Sequence, residues 1–244
     1  MIEIRHEGID NTKNSSISYD QIYKEKGILH PDSFYLMLLD LLRPQHDKVI
    51  LDMSCGVGRL AYLARQKYSP YVIGVDISFI PLLSANKFEN SIYWINGDGE
   101  KLPIRSGSID YLFNIGSIEH YFDPAKGIQE IARVLKPDGK ACILLPNLFG
   151  LLGNIKYVSK FGEAFDDGQP LQRYATISSW KNLITKNGLK ITRIVGFNEV
   201  QLPRTRSDLI KYIIKPQKFL RLLFSNFIPI NLSNHFIFIC EPNK

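Results

Sequence analysis

Apolar residues along this chain fall into two alternating patterns, short near-continuous runs and longer stretches with helical spacing. The runs at 48–52, 71–76, 91–98, 109–115 and 140–145 have the length and content of buried strands. Between them lie 58–67, 79–88 and a stretch opened by Asp123-Pro124, whose buried stripe is Ile128, Ile131 and Leu135. Asp123 stands at a helix cap with Pro124 in the first helical position, and Pro81 falls in a first turn that tolerates it. Residues 99–108 read as a loop and 136–139 as a turn. Ahead of this series, 34–42 carries a helical apolar pattern with Asp32 or Ser33 as its cap and Arg43-Pro44 as its stop. Residues 1–30 show no periodicity before Tyr19–Tyr23 and read as a mobile or ligand-covering arm. Behind it come a helix at 178–187 stopped by Gly188 and two strands, 189–197 and 235–241. This alternation predicts an α/β fold around a mostly parallel, doubly wound sheet.

The turn after the first strand carries the first chemical signal. Asp52-Met53-Ser54-Cys55-Gly56-Val57-Gly58 joins a buried strand to a helix through small residues, so a ligand can lie directly on the main chain. By spacing alone, Gly56-x-Gly58-x-x-Ala61 with Asp76 downstream fits a dinucleotide site. The acids choose differently. Asp52 stands where a pyrophosphate would settle, and two like charges at close range repel by about 4 kcal/mol even with generous screening. S-adenosylmethionine has no phosphate and carries an ammonium and a sulfonium, which a carboxylate suits. Asp76 can accept from both ribose hydroxyls, Asp98 can accept from the adenine amino group, and the Gly99 amide faces a ring nitrogen.

These residues carry a resemblance to the class I S-adenosylmethionine-dependent methyltransferases, in their small-molecule, type 11-like branch. Residues 52–58 look like that family's glycine-rich first motif, and Gly97-Asp98-Gly99-Glu100-Lys101-Leu102-Pro103 is similar to its adenine-side motif. Asp76 falls on its ribose-binding acid, with Ile77 beside it. Ile118-Glu119-His120 followed by Asp123-Pro124, and Val134-Leu135-Lys136-Pro137-Asp138-Gly139, match later segments in the right order. The family usually has glycine where Ser54 stands and often alanine at Gly99. The resemblance covers roughly 48–146. It implies a Rossmann-like seven-stranded sheet with an antiparallel last strand and one methyltransferase domain over 1–244. Within it, 1–45 is an N-terminal arm and helix, 48–146 the cofactor-binding core, and 147–177 with 198–234 the acceptor-side insertions. The cofactor-binding set it implies is Asp52, Ser54, Gly56, Gly58, Asp76, Ile77, Asp98, Gly99 and Asn114, the last at the end of the fourth strand.

His120 is the candidate general base, because an ordinary imidazole titrates near operating pH. Its alternative is a histidine that bonds Glu119 or main chain and fixes the loop; His30 is a second candidate base. Asp166-Asp167-Gly168 and Arg173-Tyr174 read either as solvated turns or as groups facing the acceptor. The expected activity is methyl transfer to a small molecule, at oxygen. A nicotinamide-dependent oxidoreductase and a protein that binds S-adenosylmethionine without transferring its methyl stay open.

Composition adds three constraints. No run approaches the ~18 apolar residues of a membrane-spanning helix, and the N-terminus lacks the apolar stretch of a signal peptide, so a cytoplasmic location is expected. Three cysteines, Cys55, Cys142 and Cys240, fit reduced thiols in or beside strands, and no cysteine–histidine cluster suggests a metal. The net charge of +6 is local: residues 201–234 hold Arg204, Arg206, Lys211, Lys215, Lys218 and Arg221 against Asp208 alone. Apolar residues interleave with these cations over 208–227, as an amphipathic helix pair broken near Pro216. That pair is either a cap with a solvated basic face, or a contact (over 207–228) with an anionic membrane surface or an anionic, lipid-linked acceptor. Nucleic acid is a third possibility without a strong signal; against base methylation, Asn114-Ile115-Gly116-Ser117 lacks the Asn/Asp-Pro-Pro-aromatic pattern of amino-group methylating enzymes.

Overall fold

A computed structural model describes residues 1–215, 217–225 and 227–243. Seven strands form the central sheet: β2 (Ile50–Met53), β3 (Val72–Asp76), β4 (Tyr93–Asn96), β5 (Ile109–Ile115), β6 (Leu135–Pro146), β8 (Leu189–Phe197) and β9 (His235–Pro242). Their order is β4-β3-β2-β5-β6-β9-β8, and only β9 runs antiparallel to its neighbours. A separate pair joins β1 (Ile2–Arg5) to β7 (Leu171–Tyr174), antiparallel. The Rossmann-like, doubly wound reading therefore holds, with the strand order reversing between β2 and β5.

Side chains alternate across the sheet. Leu51, Leu112, Phe236 and Phe238 face a core sealed by α5 (Pro124–Val134) and α7 (Ile177–Lys186), with Trp180 fully buried at its centre. Ile50, Phe113, Ile237 and Ile239 face the opposite core, under α2 (Asp32–Leu42) and α3 (Arg59–Lys67). This period-2 division of consecutive residues is what a sheet buried on both faces requires. Asp123 caps α5 as expected, accepting from the Ala125 amide at 3.0 Å. At α4 (Phe79–Phe88) the expected bounds match those observed.

Three expectations need correction. The arm at 1–30 is ordered: besides β1 it holds α1 (Thr12–Glu25), capped by Asn11. No apolar stripe announces α1, because side-chain hydrogen bonds dock it. Ser16 Oγ donates to the Ile77 carbonyl at 2.9 Å, and Asp20 accepts from Ser78 Oγ and the Ile80 amide. Neither Asp32 nor Ser33 caps α2; Pro31 is the cap residue, and Asp32 is held by Arg59 through bonds of 2.7 and 2.6 Å. The turn read at 136–139 lies inside β6, whose Leu135 pairs with Ile109 before the register shifts. The 147–177 insertion, for which the sequence predicts no elements, contains a π-helical turn (Leu151–Ile155), α6 (Lys156–Phe161) and β7.

The basic segment forms α8 (Arg206–Ile214) and α9 (Gln217–Ser225); the break placed near Pro216 lies outside the described residues. Cys142 and Cys240 are buried and Cys55 half-buried, all as free thiols. Among the described residues, no helix is long and apolar enough to cross a membrane and no cluster could hold a metal ion.

Candidate active site

One cavity of about 870 Å³ opens at the C-terminal ends of β2, β3 and β5, with α1 along its side. This is the crevice where strand order reverses, the usual ligand site of an open α/β sheet. Asp52, Ser54, Gly56 and Asp76 line it, as do Ile77, Asp98, Gly99 and His120.

Asp52 and Asp76 are both buried, at 4% and 5% exposure. Asp52 Oδ2 accepts from the Ala61 amide at 3.1 Å, so this acid also caps the start of α3. Asp76 accepts from the Gly56 amide at 2.7 Å and from the Ser78 amide at 2.8 Å, one bond to each carboxylate oxygen. Burial pushes Asp52 up to about 7, against the Ala61 hydrogen bond. It pushes Asp76 up to about 6, against its two amide bonds. Among the described residues, neither of these two cavity-lining acids has a cationic partner. Asp98 accepts from the Glu100 amide at 2.8 Å in a tight turn.

Two expected residues are not brought to the cavity. Gly58, at φ 71°, packs against the Trp94 ring, which a Cβ there would meet at 2.2 Å; the glycine fits the turn to the strand beside it. Asn114 is fully buried behind the turn, its Nδ2 3.3 Å from Tyr121 Oη and its Oδ1 without a partner.

His120 sits in a 3₁₀ turn (Ile118–His120) at 7% exposure. Its Nδ1 contacts the Leu171 carbonyl, which can only accept, so the proton lies on Nδ1 and Nε2 carries a free lone pair. Burial lowers the imidazole pKa, which keeps the ring neutral. Glu119 Oε1 lies 3.9 Å from His120 Nε2, while Oε2 has no partner. Burial pushes Glu119 up to about 8, so it holds a proton at neutral pH. Arg173 is buried rather than solvated; it donates to the Glu119, Tyr121 and Phe122 carbonyls and to Glu3, at 2.8 Å, fixing this loop. Asp167 and Tyr174 line the cavity, whereas Asp166 points out to His6 at 3.0 Å. His30 also lines the cavity, its ring tilted against Phe34 with centroids 4.6 Å apart.

Residues 51–143, the core of the sheet, match a family model described as a methyltransferase domain. An O-methyltransferase of Pyrenophora dematioidea is 24% identical over 170 residues, covering 67% of this chain and 62% of its own. The chain thus spans less than two thirds of that relative's length. Among solved structures, the [4+2]-cyclase SpnF aligns with TM-score 0.68 and 13% identity, over 95% of this chain and 97% of its own. A phosphoethanolamine N-methyltransferase of Haemonchus contortus, in complex with S-adenosylmethionine, aligns with TM-score 0.61 and 19% identity, over 98% of this chain and 59% of its own. At these identities the structures share the fold, and a fold leaves the reaction open.

The donor set at this edge fits S-adenosylmethionine. The strand edge presents Asp52, Asp76 and Asp98, while the lysines and arginine lining the cavity come from α6, α8 and α9. A cationic ligand neutralises those acids; a pyrophosphate would repel them, which removes the case for a nicotinamide dinucleotide. Sequence reasoning missed the tyrosines. Tyr23 Oη lies against Gly56, where a Cβ would meet it at 2.4 Å, and Tyr121 Oη lies against Gly99. Tyr19 stands edge-on to His120, ring centroids 6.5 Å apart. For Tyr19 and Tyr23 the sequence signal was aromatic residues on an otherwise polar helix; Tyr121 follows the 3₁₀ turn and had none.

Proposed function

We propose that this protein is an S-adenosylmethionine-dependent methyltransferase acting on an oxygen of a small-molecule acceptor. The observation that carries the reading is one cavity holding a cation-suited row of acids and a neutral histidine with a free Nε2. When bound, the cofactor supplies an electrophilic methyl group. Asp76 and Asp98 hold its polar rim, Ile77 covers it, Asp52 answers its positive charge, and Ser54 and Gly56 shape the turn beneath. His120 Nε2 takes the acceptor's hydroxyl proton, and the Leu171 carbonyl keeps the imidazole in the required tautomer. Alignment of acceptor and methyl supplies most of the remaining acceleration.

The acceptor we infer is anionic or lipid-linked. Lys156, Lys160, Lys211, Lys218 and Arg221 converge on the cavity from both insertions, beside Phe161 and Phe165. The test is incubation with methyl-labelled cofactor and a cell extract, followed by fractionation. Label in the small-molecule or lipid fraction supports the proposal. Label confined to protein or nucleic acid contradicts the acceptor class, and cofactor binding without any labelled product favours a non-catalytic role.

A further inference from the structure

Helices α8 and α9 carry their polarity the wrong way round for a cap. On α8, Asp208 is buried, Tyr212 half-buried and Lys211 lines the cavity, while Leu209, Ile210, Ile213 and Ile214 point outward. On α9, Lys218 and Arg221 line the cavity and Leu222 is half-buried, while Phe219, Leu220, Leu223 and Phe224 point outward. Both sets follow helical spacing, so each helix has one continuous apolar face turned to solvent. Ile213, Ile214 and Phe224 are 79%, 69% and 66% exposed, and Phe227 just beyond is 83% exposed. Across the cavity, α6 adds Phe161 at 54% and Val158 at 43%. An exposed apolar helix face of this kind marks an interaction surface.

Charge says what covers it. From 201 to 234 the only carboxylate is Asp208, which is buried and bonded to Thr205, whereas Arg206, Lys211, Lys215 and Arg221 are exposed. A symmetric contact with a second copy would set these cations against themselves with no acid between them. A surface that is apolar beneath and negative at its boundary matches both properties at once. We propose that the outward faces of α8 and α9 dock on an anionic bilayer, their apolar side chains in the acyl boundary and Lys215, Arg206 and Arg221 among the headgroups. The cavity mouth, lined by the same helices, then opens at the membrane surface. This deepens the proposed acceptor class but is tested without it.

The full chain, without cofactor or acceptor, is sedimented with vesicles of phosphatidylcholine alone or with about a third phosphatidylglycerol. Wild type is expected to pellet with the anionic vesicles only, and less as salt rises from about 50 to about 500 mM. The double variant Ile213→Ser/Phe224→Ser is expected to lose at least about tenfold in partitioning, with an unchanged thermal midpoint because both side chains are exposed. No pelleting with anionic vesicles at low salt overturns the proposal, as does pelleting that the double variant leaves intact. So does a concentration-dependent dimer, seen by sedimentation velocity, that the double variant dissociates; the face would then belong to a second copy. Methyl transfer to a soluble acceptor with none of this binding would leave the catalytic proposal standing and remove this one.

Discussion

Ser54 Oγ lies 2.8 Å from Tyr121 Oη. The same hydroxyl occupies the space above Gly99, where an added Cβ would meet it at 2.1 Å. The chain's two departures from the motifs it resembles meet at this contact: Tyr121 fills the volume an alanine at Gly99 would take, and Ser54 bonds it. Ser54 also sits at φ 63°, in the left-handed region. Serine→alanine keeps that strain and loses the bond, so Ser54→Ala should cost about 1 kcal/mol of stability. Ser54→Gly loses the bond but relieves about 1 kcal/mol of backbone strain, so its denaturation midpoint should match wild type. The reverse ranking would remove the Tyr121 link.

His120→Ala should lower turnover by about 10²-fold or more and leave the cofactor dissociation constant within about twofold. Because burial lowers the His120 pKa, the acid limb of the rate profile should fall below the usual histidine value near 6.5. Steady-state kinetics across pH check both; an acid limb at or above that value would assign the limb to another group.

Asp52, Asp76 and Glu119 have folded-state values raised to about 7, about 6 and about 8. The folded protein therefore holds protons that the unfolded chain has released. Stability from these groups is fully present below the unfolded carboxylate range near 4 and is lost as pH rises through the folded values. Buried His120 and His235, whose values are lowered, oppose this below about 6.5. Between pH 6.5 and 8 the unliganded protein should thus lose about 1–2 kcal/mol, read by chemical denaturation. A cationic ligand ionises Asp52 and Asp76, so binding near pH 6 should release on the order of one proton. Titrations in buffers of different ionisation enthalpy measure it; proton uptake would contradict the assignment.

Arg173→Ala should destabilise by about 2–4 kcal/mol, leaving the Glu119, Tyr121 and Phe122 carbonyls short of a donor. Arg173→Lys should recover little, since one ammonium cannot span that fork. Thermal melts of the two variants decide it.

Residues 48–146 were legible because each signal there is local: an apolar run, an acid at its end, a glycine turn, a capped helix. The sheet, Asp52, Asp76, Asp98 and the cap at Asp123 follow from such signals. Gly58 and Asn114 lie outside the cavity lining, because the sequence reveals a turn or a strand end but not which side of it meets the cavity. The β1–β7 pair was hidden since its partners are far apart, Ile2 facing Tyr174, and neither alternates cleanly. α1 was hidden because it docks through Ser16, Asp20 and its tyrosines instead of an apolar stripe. Over 208–227 the pattern of apolar and basic residues was visible, but only the fold shows which face turns outward.

The acid-lined cleft is most directly tested by calorimetry of S-adenosylmethionine on wild type and Asp76→Ala, with a nicotinamide dinucleotide as the comparison ligand. The expected result is wild-type binding in the range of about 1–100 μM, at least about tenfold weaker binding by Asp76→Ala, and no heat from the dinucleotide. Dinucleotide binding without S-adenosylmethionine binding would contradict the account.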